Sequence, residues 1–152
     1  MAPSSEDVNA SNQVPEGTPT SHAPRRLLVG VTGGIAAYKT ASLVSQLVQQ
    51  GEEVVVLMTD AATRFVGPLT FQSLTGREVI TSQWEPHEGL ESPHIYLARE
   101  AKAMLIAPCS MDMLARLATG RSDDVVSLLA AAIDRDHVPV LLSPSMNATM
   151  FQ

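Results

Sequence analysis

The sequence has a single cysteine, Cys109, among its 152 residues. One cysteine makes neither an internal disulfide nor a cysteine-rich zinc site. Aromatic residues are nearly as scarce: Tyr38, Phe65, Phe71, Trp84, Tyr96 and Phe151 make up 4% of the chain, which leaves no platform for stacking nucleic-acid bases. Lys and Arg number 10 against 16 Asp and Glu, and no basic stripe marks a phosphate-backbone partner. No apolar run reaches the roughly 18 residues that span a bilayer. The N-terminus shows no basic-then-apolar signal pattern, so a cytoplasmic protein without membrane or nucleic-acid partners is expected. No group of His, Cys, Asp and Glu has metal-ligand spacing, and no metal is expected.

What is present is apolar material: 45% hydrophobic residues against 17% charged ones, enough for one packed core and too much for a disordered or collagenous chain. It is unevenly placed. Residues 1–24 are Ser, Thr, Asn, Pro and Gly with little to bury, and read as a disordered leader. Half of the net charge of −6 lies there, on Glu6, Asp7 and Glu16. The folded domain is expected over 25–152.

Within that domain, apolar runs alternate with helical spacing. Leu27–Val31 reads as a strand ending in Thr32-Gly33-Gly34. Ala36, Ala37, Thr40, Leu43, Val44, Leu47 and Val48 recur at helical intervals, and Gly51 suits the residue just past a helix end. Val54–Met58 reads as a second strand. From Thr59 to Arg77 the pattern is mixed, with Pro68 and Gly76 limiting regular structure, and Val79-Ile80 suggests a short strand. Ser92-Pro93 has the form of a helix cap followed by a first-turn proline. The helix leads into a strand over Ala103–Ala107. Ser110 caps another helix, which Gly120 stops. Ser122 is the expected cap of the next, with Asp123 and Asp124 in its first turn. Val138–Leu142 reads as the last strand. This alternation predicts an α/β fold: a doubly wound parallel sheet with helices on both faces, Rossmann-like.

Ligands of such sheets bind beyond the carboxyl ends of the strands. Those ends carry Thr32-Gly33-Gly34, Thr59-Asp60, Pro108-Cys109-Ser110 and Ser143-Pro144-Ser145-Met146-Asn147. Glycines let a phosphate approach the backbone, and a helix N-terminus behind them supplies N–H groups, so a phosphate-bearing cofactor is expected. The competing reading of Gly33-Gly34 is a simple tight turn. Neither a G-x-G-x-x-G fingerprint nor a P-loop can be drawn through it. His94, in the first turn of its helix, sits where the dipole keeps imidazole neutral and usable as a base; the alternative is an ordinary surface histidine. Asn147 can grip a carboxylate through its amide, or cap a helix. The methionines at 104, 111, 113, 146 and 150 read as packing.

Five segments together resemble one family. L-L-V-G-V-T-G-G-I-A-A-Y-K (27–39), H-I-Y-L-A (94–98), I-A-P-C-S-M-D-M (106–113), G-R-S-D-D (120–124) and P-S-M-N-A-T-M (144–150) occur in that order. They resemble the flavin-dependent cysteine decarboxylases, which include phosphopantothenoylcysteine decarboxylase and the lantibiotic decarboxylases. The first motif is most similar to the decarboxylase half of the bacterial bifunctional coenzyme A enzyme. The resemblance covers residues 26–152 and implies FMN as cofactor. It implies Gly33, Gly34 and Ile35 against FMN, Thr59 near its phosphate or ribityl chain, and Cys109, Ser110, Met111 and Asp112 as a second cofactor segment. Ser145 would touch the flavin. His94 matches the active-site histidine, Asn147 the asparagine that holds the substrate carboxylate, and Met150 completes that motif. The implied reaction is decarboxylation of 4′-phosphopantothenoylcysteine to 4′-phosphopantetheine in coenzyme A biosynthesis. The implied assembly is a homo-oligomer, a trimer or dodecamer.

The sequence departs from the family at three places. The family's P-x-S-A-N-T segment reads Pro108-Cys109-Ser110-Met111-Asp112-Met113, and Phe151 stands where Trp or Tyr is usual. Family members also continue past the position of Gln152 into a flap whose cysteine completes reduction of the intermediate. A chain without that flap is expected to bind FMN and stop at the enethiol. Three other readings compete: a non-catalytic flavin- or partner-binding regulatory module, a flavin prenyltransferase, and a plain nucleotide-binding Rossmann domain with Asp60 on a ribose. The first loop and the acidic residues expected of a prenyltransferase are not matched.

Overall fold

In the computed structural model the described residues are 26–84 and 93–151. The leader span, His22, His87 and the Ser92 cap lie outside them. Two strands at the centre explain the architecture. β1 (Arg26–Val31) and β2 (Val54–Met58) are continuous apolar runs, as strands buried on both faces must be. They pair in parallel, Leu27 opposite Val54 through Val31 opposite Met58. Alternate residues then serve opposite faces. Val29, Val31, Val54, Val56 and Met58 enter one core with Phe71; Leu28, Val55 and Leu57 enter another with Met104, Ile106 and Leu129.

The first core is closed by α1 (Ala37–Gln49) and, beyond the single turn of α2 (Asp60–Thr63), by α3 (Pro68–Thr75). Pro68, expected only as a limit, starts α3, because its missing N–H costs nothing in a first turn. Gly76 ends it at φ 67°, a left-handed conformation that glycine adopts without strain. Gly51 plays the same part after α1, at φ 86°. Val79-Ile80 is reduced to one parallel bridge, Ile80 with Leu57.

The second core is closed by α4 (Pro93–Glu100), α5 (Met111–Thr119) and α6 (Val125–Ala132). β3 (Ala101–Cys109) runs between them and pairs with β1, and β4 (Val140–Pro144) pairs with β3. The sheet order is β2-β1-β3-β4, all parallel, with helices on both faces. α6 sits close to β1: a Cβ on Gly30 would come within 2.6 Å of the Val126 side chain. One helix start differs from expectation. Asp124, not Ser122, caps α6, its Oδ1 accepting from the N–H groups of Val126 (2.9 Å) and Ser127 (3.0 Å). A carboxylate there matches two orphan donors and the helix dipole together. β4 is the least covered strand, with Leu141 and Leu142 exposed.

Candidate functional site

The strand order reverses direction between β1 and β3, and the carboxyl ends of these two strands define the crevice where such sheets bind ligands. Two threonines tie the crevice together. Thr32, buried at the end of β1, donates its hydroxyl to the Pro108 carbonyl at 2.6 Å and accepts from the Ser110 N–H at 3.0 Å. Thr40, buried on α1, donates to the Ala107 carbonyl at 2.8 Å. The carboxyl end of β3, which includes a cis Ala107–Pro108 peptide, is therefore hydrogen-bonded both to the end of β1 and to α1. The N–H of Ser145 donates to the Cys109 carbonyl at 3.0 Å, adding the end of β4 to the same framework.

On this framework lies an open hollow of about 640 Å³. Of the residues expected to bind a cofactor it gathers Gly33, Thr59, Ser110, Met111 and Asp112, and with them Met150. Thr59 and Ser110 each cap the helix that follows, accepting from the N–H groups of Ala62 and Met113, both at 3.2 Å. Gly33 is required for packing: a Cβ there would stand 2.7 Å from the Ala61 Cβ. Gly34 has open space around it, with no neighbour nearer than 3.9 Å. Met111 and Met150 expose apolar surface in the hollow, and Ile35, outside its lining, is exposed next to Gly34.

The rim of the hollow is acidic, with Asp60, Asp112, Asp123 and Asp124. Arg116 offsets part of this charge. Its guanidinium pairs with Asp112 (2.7 Å), Asp124 (3.3 Å) and Asp123. The hydrogen bond to Asp112 leads the causes that hold Arg116 above the ordinary arginine range. Arg121 holds Asp123 below the usual carboxylate range, with Arg116 adding to it. The hollow thus combines glycine backbone, hydroxyls, apolar side chains and paired charges, at a size suited to a cofactor.

Other expected residues lie elsewhere. The Cys109 side chain is buried in the core beside Met113, and burial pushes its thiol up to about 11; the loop uses its carbonyl. Ser145 lines a separate hollow of about 370 Å³ with Lys39, Thr40 and Leu43. Asn147 has an occupied oxygen: Oδ1 accepts from the Thr149 N–H at 2.9 Å, capping the short 3-10 turn Ala148–Phe151. That leaves its amide N–H groups as donors for a ligand. His94 stands apart, in the first turn of α4, lining a small cavity with Leu57 and Ile80. The sequence places Thr32 at a ligand-binding strand end but shows neither its tie to the Pro108–Ser110 segment nor that of Thr40 to Ala107. Their only signal is a hydroxyl at the end of an apolar strand and another within the apolar stripe of a helix. Among the described residues no group of three or more His, Cys, Asp or Glu could hold a metal ion, and no helix is long and apolar enough to cross a membrane.

Comparison with known proteins agrees with this architecture. The chain is 42% identical over 130 residues to the coenzyme A biosynthesis bifunctional protein CoaBC of Vibrio vulnificus, covering 86% of this chain and 32% of that protein. It therefore spans about a third of the length of that relative. The FMN-dependent cysteine decarboxylase SpaF superposes with a TM-score of 0.75 at 30% identity, over 84% of this chain and 71% of SpaF. A PPC decarboxylase mutant complexed with pantothenoylaminoethenethiol superposes at 0.70 with 25% identity, over 85% and 71%. The family profile described as Flavoprotein matches residues 16–152, beginning inside the span read as a leader. The chain belongs to the flavoprotein family, and within it to the FMN-dependent cysteine decarboxylases.

Proposed function

We propose that this chain binds FMN and decarboxylates 4′-phosphopantothenoylcysteine to 4′-phosphopantetheine, a step of coenzyme A biosynthesis in the cytoplasm. The observation that carries the reading is the hollow built on the Thr32–Pro108–Ser110 framework, in a chain 42% identical to CoaBC over 130 residues. The residues present fit FMN. Gly33 and Gly34 leave backbone open to a phosphate-bearing ligand, Thr59 and Ser110 offer hydroxyls, and Ile35, Met111 and Met150 offer apolar surface to a ring system. Arg116 and Arg121 pair with three of the four rim carboxylates, so an anionic ligand meets ion pairs at Asp112, Asp123 and Asp124. Cys109 contributes backbone, and Ser145, which lines the separate hollow beside Lys39 and Thr40, is proposed to touch the flavin from the β4 side.

Held by these residues, FMN would supply reversible two-electron redox chemistry at the substrate's cysteine side chain, with substrate and one proton giving product and CO2 overall. The protein's part is placement. Asn147, with Oδ1 engaged, offers its amide N–H groups to the substrate carboxylate until CO2 leaves. Met150 packs beside it. His94, in the first turn of α4, takes and returns a proton at the reacting thiol.

The positions of these residues favour a shared site. His94 lies over the β2 edge, against Leu57 and Ile80, whereas Asn147 follows β4 at the opposite edge. Three interstrand spacings separate those strands, about 14 Å. A homo-oligomer, a trimer or dodecamer, would bring His94 of one copy to Asn147 of another. Ile35, Tyr38, Leu141, Leu142 and Phe151 are exposed apolar surface available for such contacts.

The test begins with the absorption spectrum of the purified chain. Flavin absorbance, or uptake of added FMN, is expected; a colourless protein that takes up none overturns the reading. Incubation with 4′-phosphopantothenoylcysteine should then release CO2. A flavin-loaded chain that releases none, and whose His94→Asn variant keeps its biological activity, would instead be a regulatory module. Light scattering of the loaded protein gives its assembly.

A further inference from the structure

We propose that Arg116 sets the charge specificity of the cofactor hollow. By pairing with the carboxylates that two helix starts place on the rim, it lets the hollow take a phosphorylated flavin in preference to the uncharged one. The proposal deepens the FMN reading and rests on it.

The acids on the rim serve the fold. Asp112 lies in the first turn of α5. Asp124 caps α6, and its Oδ2 also accepts from the Ser127 hydroxyl at 2.6 Å. Negative charge at a helix N-terminus complements the unpaired N–H groups and the dipole there. Both carboxylates, with Asp123 beside the second, also line the hollow. The groups that stabilise the two helix starts therefore oppose any anion that enters. A hollow of about 640 Å³ is roughly 9 Å across, close to the Debye length of roughly 8 Å at physiological salt. A phosphate inside it is within reach of every charge on the rim.

Arg116 meets all three of these acids. Its Nε donates to Asp112 Oδ2 at 2.7 Å, and its Nη1 donates to Asp124 Oδ2 at 3.3 Å and to Asp123. A guanidinium suits the place because its N–H groups diverge in one plane and reach several carboxylates at once. One side chain, only 20% exposed, thus ties the start of α5 to the start of α6 along the rim. Arg121 pairs with Asp123 at 2.6 Å but is 60% exposed, where water weakens the pair. Asp60, at the end of β2, and Arg64, 3.9 Å from it, are both largely exposed, so solvent screens them. Three acids against Arg116 and Arg121 leave one net negative charge beside the ligand. Loss of Arg116 leaves two, with Asp112 and Asp124 stripped of their cation. FMN differs from riboflavin only in its phosphate, so the two flavins isolate this effect.

Fluorescence titration of the full chain with FMN and with riboflavin measures the preference as a ratio of dissociation constants. Arg116→Met should weaken FMN binding by about tenfold and riboflavin binding by less than about twofold, the pattern of one charge lost within a Debye length. The gap should narrow in high salt. Arg116→Lys keeps the charge and should keep most of the preference. Adding Asp123→Asn to Arg116→Met should restore part of it. If Arg116→Met folds poorly, Asp123→Asn alone tests the same point from the other side. One acid fewer should raise the preference for FMN by about threefold. Equal losses for the two flavins in Arg116→Met, or an unchanged ratio in Asp123→Asn, would mean a packing role and overturn the proposal. A parent chain that binds neither flavin overturns the FMN reading, and this proposal with it. A parent that binds FMN, with a preference that none of these variants moves, overturns the proposal alone.

Discussion

At the amino ends of the strands, Arg77 and Arg26 pair with Glu53, Lys102 pairs with Glu52, and Arg26 lies 5.5 Å from the Tyr96 ring centre. At the carboxyl ends of β1 and β3 the ties are Thr32 and Thr40, two buried hydroxyls bonded to the backbone of the Ala107–Ser110 loop. The first set is partly exposed and made of long, flexible, charged side chains, each pair worth little. The second is dry and short, and each bond satisfies a backbone group away from water. The difference explains where a ligand can be held. Ion pairs on mobile stems tolerate displacement, whereas a cradle for a cofactor needs loops fixed in place.

Substitutions should separate the two ends by size of effect. Thr32→Val keeps shape but orphans the Pro108 carbonyl and the Ser110 N–H, and should cost about 3 kcal/mol in denaturant unfolding, with flavin uptake weakened. Gly33→Ala forces a Cβ against Ala61 and should cost about 2 kcal/mol, while Gly34→Ala, with room for a methyl, should change stability by less than about 1 kcal/mol. A reversed order for this glycine pair in thermal melts would contradict the packing described. Lys102→Met, at the other end, should cost only about 0.5 kcal/mol and less in high salt. If it cost as much as Thr32→Val, the contrast between the ends would fail.

The smallest effect is a pH signature. Asp123 titrates below its ordinary 3.8 in the folded chain, held chiefly by Arg121. A depressed carboxylate stabilises the fold above its unfolded value and loses that contribution as pH falls through the folded one. The stability difference between the parent and Asp123→Asn should therefore be constant above about pH 5 and shrink on acidification below 3.8. Urea titrations at several pH values measure it; a difference that grows toward acid pH would contradict the pairing.

The sheet was legible in the sequence because its central strands are unbroken apolar runs. β2 has the expected bounds, and β1 begins one residue earlier than expected. The bounds of β4 were less so: Val138 packs into the core while its N–H bonds to the Asp134 carbonyl, and the strand begins at Val140. The glycine turn could be read from sequence, but the need for Gly33 could not, because it arises from Ala61, a neighbour only in space. The ties of Thr32 and Thr40 escaped for the same reason, their partners lying 76 and 67 residues away. The two readings of Asn147 prove compatible, since the cap uses its oxygen and leaves its N–H groups.

The threonine ties have a thermodynamic consequence. Because the carboxyl end of β3 is anchored to β1 and α1, the cradle exists only while the β1–β2 and β3–β4 halves of the sheet are docked. Any molecule that fills the cradle therefore binds the docked state alone and raises the midpoint of unfolding in proportion to the logarithm of its concentration. Cofactor saturation is then part of this chain's cooperativity, and the two halves should melt as one unit when loaded and separate most readily when the cradle is empty.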